Sequence, residues 1–439
     1  VRAALMMLTS QNEAGHTCPI SMTFSGVAAL RVEPDLAAEW EPRILSSTYD
    51  PRFAPAREKS GVLLGMGMTE KQGGSDVRAN TTVAERIGSS REFLITGHKW
   101  FVSAPMCDAF LVLAQSSQGL SCYFMPRWTP AGQRNNFHIQ RLKDKMGNRS
   151  NASSEVEFAQ AWAHLVGEEG RGVHTIIEMV NHTRLDCAIA GAGLMRQALV
   201  QAVHHASHRQ AFGKLLIQQP LMRNVLADLA LESEAATLLM VRLARSFDRR
   251  DSDDGERAFC RVATAIAKYW LCKRVTVHVG EALECLGGNG YVEESIMPRL
   301  YREAPLYSIW EGSGNVICLD VLRALTKDPA TTEALLAELQ STTGADRRLD
   351  SFIANIQQLL PAKAASGPGQ SSVEYSAREL TEKLALALQA SLVMRHSSSA
   401  MAEAFFASRL SGRHGQAFGT LPSGVDINGI LGSSAELLQ

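Results

Sequence analysis

A chain of 439 residues suits about three domains and buries a large core, so its stability requires no disulfide or metal staple. Hydrophobic residues at 45% and charged residues at 20% mark a globular chain rather than a disordered one. Lys plus Arg number 44 and Asp plus Glu 45, and the net charge of −1 gives no global attraction for nucleic acid or anionic lipid. No apolar run reaches the roughly 18 residues of a membrane span. The opening VRAALMMLTS lacks the ordered regions of a signal peptide. The chain does not begin with Met, so its start is expected upstream.

Residues 1–60 mix short apolar pieces with Pro34, Pro42, Pro51 and Pro55. MTFSGVAAL (22–30) reads as a helix, and the prolines break any longer pattern. Residues 61–167 are rich in β-formers, with strands expected at REFLITG (91–97), KWFVS (99–103), AFLVLAQ (109–115), LSCYFM (120–125) and SSEVEF (153–158). Short strands without intervening helices predict an antiparallel sandwich or barrel. Residues 168–327 read as a helical bundle. Leu221, Val225, Leu226 and Leu229 share a helical stripe that Leu238, Leu239 and Leu243 continue, and the run 257–286 ends at GGNG (287–290). Residues 328–439 form a helical extension, with helices near 331–340 and 376–408 separated by a flexible ASGPGQSS (365–372). The Gly- and Ser-rich stretch 411–434 is expected to be poorly ordered. The fold class is α+β, in four regions: 1–60, 61–167, 168–327 and 328–439.

Eight cysteines (Cys18, Cys107, Cys122, Cys187, Cys260, Cys272, Cys285 and Cys318) stand among apolar neighbours without a C-x-x-C pair. That pattern suits reduced, buried thiols in a reducing, cytoplasmic compartment.

Four segments carry residues suited to chemistry. MTEKQGGSD (68–76) places hydroxyls and two glycines after a strand end, where backbone N–H groups can meet an anion or a heteroaromatic edge. GHKWFVS (97–103) sets aromatics beside a hydroxyl, which suits the wall of a planar ring. HRQAFGKLLIQQP (208–220) breaks a helix near Arg209, whose planar fork matches a pyrophosphate. In LYREAPLYSIWEGSGN (300–315), Glu311 follows Ile309 and Trp310 and precedes Gly312. A carboxylate flanked by apolar bulk is expected to titrate high, as a base that removes a C–H proton needs. Taken singly, each segment also fits an ordinary turn, a half-buried strand or a solvated loop.

Together, GMGMTEKQGGSD, GHKWFVS, RLKDKMGNRSNASSEVEF, NHTRLDCA, RQAFGKLLIQQPLMR, LGGNGYVEES and LYREAPLYSIWEGSGN resemble the acyl-CoA dehydrogenase flavoprotein family. Their spelling is most similar to the AidB-type branch, the flavoproteins of the bacterial alkylation response. The resemblance spans roughly 14–327. It implies an acyl-CoA dehydrogenase-like fold: part of an N-terminal helical domain, a middle β-domain and a C-terminal four-helix bundle, here followed by the extension. It also implies FAD between the middle domain and the bundle. Met66 to Ser75 would line the flavin, with Thr69, Gly74 and Ser75 in contact. Phe101, Val102 and Ser103 would flank the ring. Arg209 and Phe212 would reach the FAD of a neighbouring subunit, and Gly287 and Gly288 would form another cofactor-adjacent turn. Ile309, Gly312, Ser313 and Asn315 would cover the flavin's other side. Glu311 would be the catalytic base and Arg184 would lie near the substrate pocket. The implied reaction is α,β-dehydrogenation of an acyl-CoA thioester. The implied partners are a homotetramer and an electron-accepting flavoprotein.

The chain also departs from the family. Glu284 replaces the common Gln on the adenosine side, and Phe101 stands where Trp is frequent. Thr183, before Arg184, cannot serve as the alternative base, which leaves Glu311. Only 67 residues precede Met68, so the start of the helical domain is expected to be lacking. The AidB resemblance raises a second function, association with duplex DNA through the C-terminal region. That region holds eight basic and eleven acidic residues, a net of −3 without a dense basic run. His204 and His208 have a helical i, i+4 spacing but no third ligand at a metal-site spacing, so no metal is expected.

Overall fold

The computed structural model describes residues 1–360 and 370–435. The chain divides into two compact units: Glu13–Thr183, and Val1–Asn12 together with Arg184–Gln439. Helix α1 (Arg2–Asn12) belongs to the second unit. The first unit holds α2 (Thr17–Leu30), α3 (Pro34–Ile44), seven strands and the opening turns of α4 (Gly172–His208).

Helix α1, ahead of the prolines, and helix α3, among them, were not expected. Pro34 begins α3, a position where its absent N–H costs no bond, and Pro42 sits in the last turn. The apolar side of α3 puts Trp40 edge-on against Phe124, with ring centroids 4.7 Å apart.

The strands are β1 (Leu64–Gly67), β2 (Val83–Arg86), β3 (Glu92–Ser103), β4 (Ala109–Ser116), β5 (Gly119–Pro126), β6 (Phe137–Leu142) and β7 (Ser153–Val166). Strands β2, β3, β7, β5 and β4 pair in a closed ring, so the expected sandwich or barrel is a barrel. The β2–β4 closure is parallel, and β1 pairs in parallel on the same edge of β4, so the barrel is mixed rather than purely antiparallel. Strand β6 adds antiparallel to β7. Most of β4 and β5 is buried, as their continuous apolar runs require. The two runs expected at 91–97 and 99–103 are one strand with register shifts at 95/97 and 99/102. Gly97 takes φ of +149° at the first shift, and a Cβ there would lie 2.7 Å from the Thr82 Cα.

The second unit is helical. It contains the rest of α4, then α5 (Pro220–Arg249), α6 (Asp254–Cys285), α7 (Gly288–Tyr291), α8 (Met297–Glu303) and α9 (Gly314–Lys327). The extension adds α10 (Pro329–Gln340), α11 (Arg347–Leu359), α12 (Gln370–Tyr375), α13 (Ala377–His396), α14 (Ser399–Phe405) and α15 (Ile427–Ala435). Asp253 caps α6 by accepting from the Glu256 N–H at 3.1 Å. Leu226, Leu229, Leu239 and Leu243 of the expected stripe are fully buried, whereas Leu221 is 82% exposed at the first turn of α5. The expected flexible linker lies outside the described residues up to 369.

The stretch 411–434 is not the loose tail its composition suggests. Phe418, Leu421, Ile430 and Leu431 are buried. The Gly419 N–H donates to Asp228 at 2.9 Å, and the Leu421 N–H donates to Asn224 at 3.0 Å. Asp228 is itself fully buried and ion-paired with Arg409 at 2.5 Å. Four apolar anchors and a satisfied buried carboxylate outweigh the glycine-rich composition. All eight cysteines are free and buried, as expected.

Candidate functional site

On the barrel unit, β1 leads into the 68–76 segment. The Trp100 N–H donates to the Thr69 carbonyl at 2.8 Å, which ties this segment to β3. A Cβ at Gly67 would lie 3.5 Å from the Val102 side chain, so 66–69 and 100–103 share one patch. Gly74 folds back on Thr69; a Cβ there would fall 2.5 Å from the Thr69 Oγ1. The preceding Gly73 has φ of +126°, and its N–H donates to the Glu70 carbonyl at 3.0 Å. Phe101 is 48% exposed and carries the Lys143 ammonium 4.6 Å from its ring centre. Met66 and Ser103 are half-buried, Ser75 is exposed, and the Val102 side chain is in the core.

The anchor of this patch is a buried pair that the sequence reading did not single out. Glu70 and Lys99 are both fully buried, with Nζ 2.7 Å from Oε1. Glu70 also accepts from the Thr81 and Thr82 N–H groups at 2.7 and 3.1 Å. Burial alone would raise the Glu70 carboxyl, but Lys99 and these N–H donors hold it well below the usual carboxylate range. Burial lowers the Lys99 ammonium to about 8, against the pull of Glu70. The legible signal was a lysine inside an otherwise apolar and aromatic strand.

On the helical unit, Glu311 is half-buried and has φ of +58°, followed by Gly312 at +104°. Two cations from different helices hold this turn by its carbonyls. The Arg184 Nε of α4 donates to the Glu311 carbonyl at 3.1 Å, and the Lys268 Nζ of α6 donates to the Gly312 carbonyl at 2.5 Å. Arg184 also pairs with Asp320 of α9 at 2.9 Å, and Arg261 joins the same carboxylate at 2.8 Å. Burial would raise Asp320, but these guanidinium groups hold it below the usual carboxylate range. Ile309 is 64% exposed. Ser313 precedes α9 at its N-cap position without a side-chain capping bond, and the Asn315 Oδ1 accepts from the Arg378 Nε of α13 at 2.8 Å.

Arg209, Gly287 and Gly288 line one polar cleft of about 430 Å³, together with His205, Glu284 and Asn289. A Cβ at Gly287 or Gly288 would meet nothing within 4 Å, so the turn faces open space. Among the described residues the Arg209 guanidinium has no carboxylate within ion-pair distance. Phe212 sits at the tip of a two-residue hairpin (Gln210–Ala211 with Lys214–Leu215) and is 99% exposed with φ of +52°.

Three family models match the chain in succession. Residues 1–51 match the adaptive response protein AidB N-terminal domain. Residues 65–161 match the acyl-CoA dehydrogenase middle domain and 170–326 its C-terminal domain. The chain is 48% identical over 415 residues to the putative acyl-CoA dehydrogenase AidB of Escherichia coli, covering 94% of this chain and 75% of that protein. The chain belongs to the acyl-CoA dehydrogenase family. Within it, the chain falls in the AidB branch and is shorter than AidB.

Among solved acyl-CoA dehydrogenase-fold structures, Caenorhabditis elegans ACDH-11 in complex with C11-CoA aligns with a TM-score of 0.82 at 28% identity, over 92% of this chain and 73% of that one. The apo form of Bd2924 aligns with a TM-score of 0.78 at 31% identity, over 92% and 77%. The expected architecture of N-terminal helices, a middle β-barrel and a C-terminal helical domain therefore holds for this acyl-CoA dehydrogenase family member. Among the described residues no group of three or more His, Cys, Asp or Glu side chains is placed to hold a metal ion. No helix of those residues is long and apolar enough to cross a membrane.

Proposed function

We propose that this chain is an FAD-dependent oxidoreductase that dehydrogenates an acyl-CoA thioester across its α,β bond, with Glu311 as the base. The observation that carries the reading is the Glu311–Gly312 turn, held in a left-handed conformation by the buried cations Arg184 and Lys268. A non-glycine residue in that conformation costs about 1–3 kcal/mol and persists where the surroundings over-determine it, as at active sites.

The residues present fit FAD. The unpaired Arg209 beside the open Gly287–Gly288 turn suits a diphosphate. The half-exposed Phe101 and the close Thr69–Gly74 approach suit a flat ring and its polar edge. On this reading Met66, Thr69, Gly74, Ser75, Phe101, Val102 and Ser103 contact the flavin. Gly287, Gly288, Ile309, Gly312, Ser313 and Asn315 are further cofactor contacts on this reading, and Arg209 and Phe212 reach the FAD of a neighbouring subunit. FAD when bound supplies the acceptor for the hydride that leaves the β-carbon.

The protein's own residues do the rest. The Glu311 N–H polarises the thioester carbonyl, and one such donor is typically worth about 3 kcal/mol of transition-state stabilisation. The Glu311 carboxylate takes the α-proton as charge builds on that oxygen. Arg184, tied to Asp320 and to the Glu311 carbonyl, shapes the turn and lies near the substrate pocket on this reading. An electron-accepting flavoprotein, a homotetramer and a cytoplasmic setting complete the proposal.

The test is an absorbance spectrum of the purified protein, then anaerobic titration with saturated acyl-CoA thioesters from short to long, C11-CoA among them. The reading expects near-stoichiometric FAD and bleaching by at least one thioester. A colourless protein, or bound flavin that no thioester bleaches, would overturn it. Association with duplex DNA has no comparable support. Arg348, Arg395 and Arg409 of the extension pair with Glu403, Glu338 and Asp228 rather than facing outward as a free basic surface. A salt-dependent gel shift separates the two readings.

A further inference from the structure

Lys268 is 1% exposed and lies in the middle of α6, between the buried Ala267 and Tyr269. A buried ammonium ordinarily pairs with a carboxylate, because stripping water from a lone charge is expensive. Among the described residues Lys268 has no such partner, and its Nζ donates to the Gly312 carbonyl at 2.5 Å. Its charge also acts on the buried Cys187 and Cys272 thiols, and Glu311 acts on Cys187, which puts all four groups in one neighbourhood.

The geometry around Lys268 explains what the charge does there. Glu311 at φ of +58° and Gly312 at +104° form a turn that Glu311 would leave if it were free to relax. Arg184 holds the first carbonyl of the turn and Lys268 the second, from two different helices. One bond fixes a point, whereas two bonds to successive carbonyls fix the orientation of the peptides and therefore the direction in which the Glu311 Cα–Cβ bond leaves the backbone. Arg184 is shared with Asp320, whereas the Lys268 Nζ bonds only the turn among the described residues.

We infer that Lys268 is a positioning residue for proton abstraction, acting through the Gly312 carbonyl to hold the Glu311 carboxylate at its working angle. This rests on the reading of Glu311 as base. The interaction costs the protein a buried ammonium with no carboxylate at ion-pair distance among the described residues, and the return is a base already in place when the thioester arrives.

The experiment compares Lys268→Met, of similar length without a donor, with Lys268→Gln, which keeps a neutral donor, and with Glu311→Gln, all as holoenzymes. Hydrogen–deuterium exchange of the 309–315 backbone reads the tether without reference to activity. It is expected to quicken about tenfold or more in Lys268→Met and less in Lys268→Gln. Thioester α-proton exchange in deuterated buffer and steady-state kinetics read the consequence. Lys268→Met is expected to lower the exchange rate and kcat about tenfold or more, with KM within about threefold, and Lys268→Gln to recover part of the loss. Unchanged 309–315 exchange in Lys268→Met, or a kcat within about twofold of the parent, would overturn the inference. Wild-type α-proton exchange in Glu311→Gln would instead sink the assignment of the base, and the 309–315 exchange would still judge the tether on its own.

Discussion

Arg184 Nε lies 3.1 Å from the Glu311 carbonyl oxygen, and the same guanidinium reaches Asp320, which lies 136 residues away in sequence. One side chain thus joins α4, the Glu311 turn and α9. Replacing it with Met removes the turn's first tether and leaves Asp320 to Arg261 and Arg323. Arg184→Met is expected to cost about 2 kcal/mol in urea denaturation and to slow flavin bleaching about tenfold or more. Arg184→Lys should recover part of the stability but little of the rate, because an ammonium cannot bridge both acceptors with the planar fork.

The Glu70–Lys99 pair makes a prediction about the barrel unit. Lys99→Met leaves a fully buried carboxylate without its cation and is expected to cost about 3–5 kcal/mol. The double variant Glu70→Gln with Lys99→Met should lose less than the Lys99 variant alone. A double-mutant cycle by thermal or urea unfolding checks this, and strictly additive losses would show that the pair is not coupled.

Gly74 tests cofactor binding separately from the fold. A side chain there would press on the Thr69 hydroxyl from 2.5 Å. Gly74→Ala is expected to lower FAD per chain severalfold while stability changes by less than about 1 kcal/mol. Flavin absorbance against protein concentration reads the first, and urea denaturation the second.

The C-terminal segment is expected to loosen in acid. His278 is fully buried, donates Nε2–H to the Leu229 carbonyl at 3.0 Å and faces Asp228 and Glu232 on α5, Arg274 on α6, and the Phe418 ring at 5.7 Å. Burial lowers its imidazole from 6.5 to about 4, although the Leu229 carbonyl and Glu232 oppose the shift. Between those values the unfolded chain binds the proton that the folded chain refuses, so stability falls as pH drops from 6.5 to about 4. The full contribution is about 3 kcal/mol. Burial would raise Glu232, but Arg274 and Arg409 hold it at about 2, so a further loss follows between 4.5 and about 2. Urea denaturation from neutral pH to about pH 4 should show the first loss, and His278→Gln should flatten it. An equal slope in that variant would assign the loss elsewhere.

The sequence showed more of the elements than of their ties. Strands β3, β4, β5 and β7 were legible because their runs of β-formers are long or continuous. The short β1 (LGMG) was read only as a strand end before Met68 and β2 (VAER) not at all, because neighbours rather than propensity make them strands. Helix α3 was hidden by prolines that its first and last turns tolerate. The ordered 411–434 stretch was hidden by composition, since its four apolar anchors are spread among glycines and serines. Glu311 stood out because a lone acid between bulky apolar residues and glycines is unusual. Arg184 was legible only through the family resemblance, and Lys268 and Asp320 not at all: the three meet only when three helices pack, and no local pattern marks that.

The most direct test of the account is Glu311→Gln, purified with its flavin and mixed anaerobically with the thioester that bleaches the parent fastest. The account predicts FAD content and melting behaviour like the parent, with the bleaching rate down about a thousandfold. Bleaching at close to the parent rate by a folded, flavin-loaded Glu311→Gln protein would contradict it.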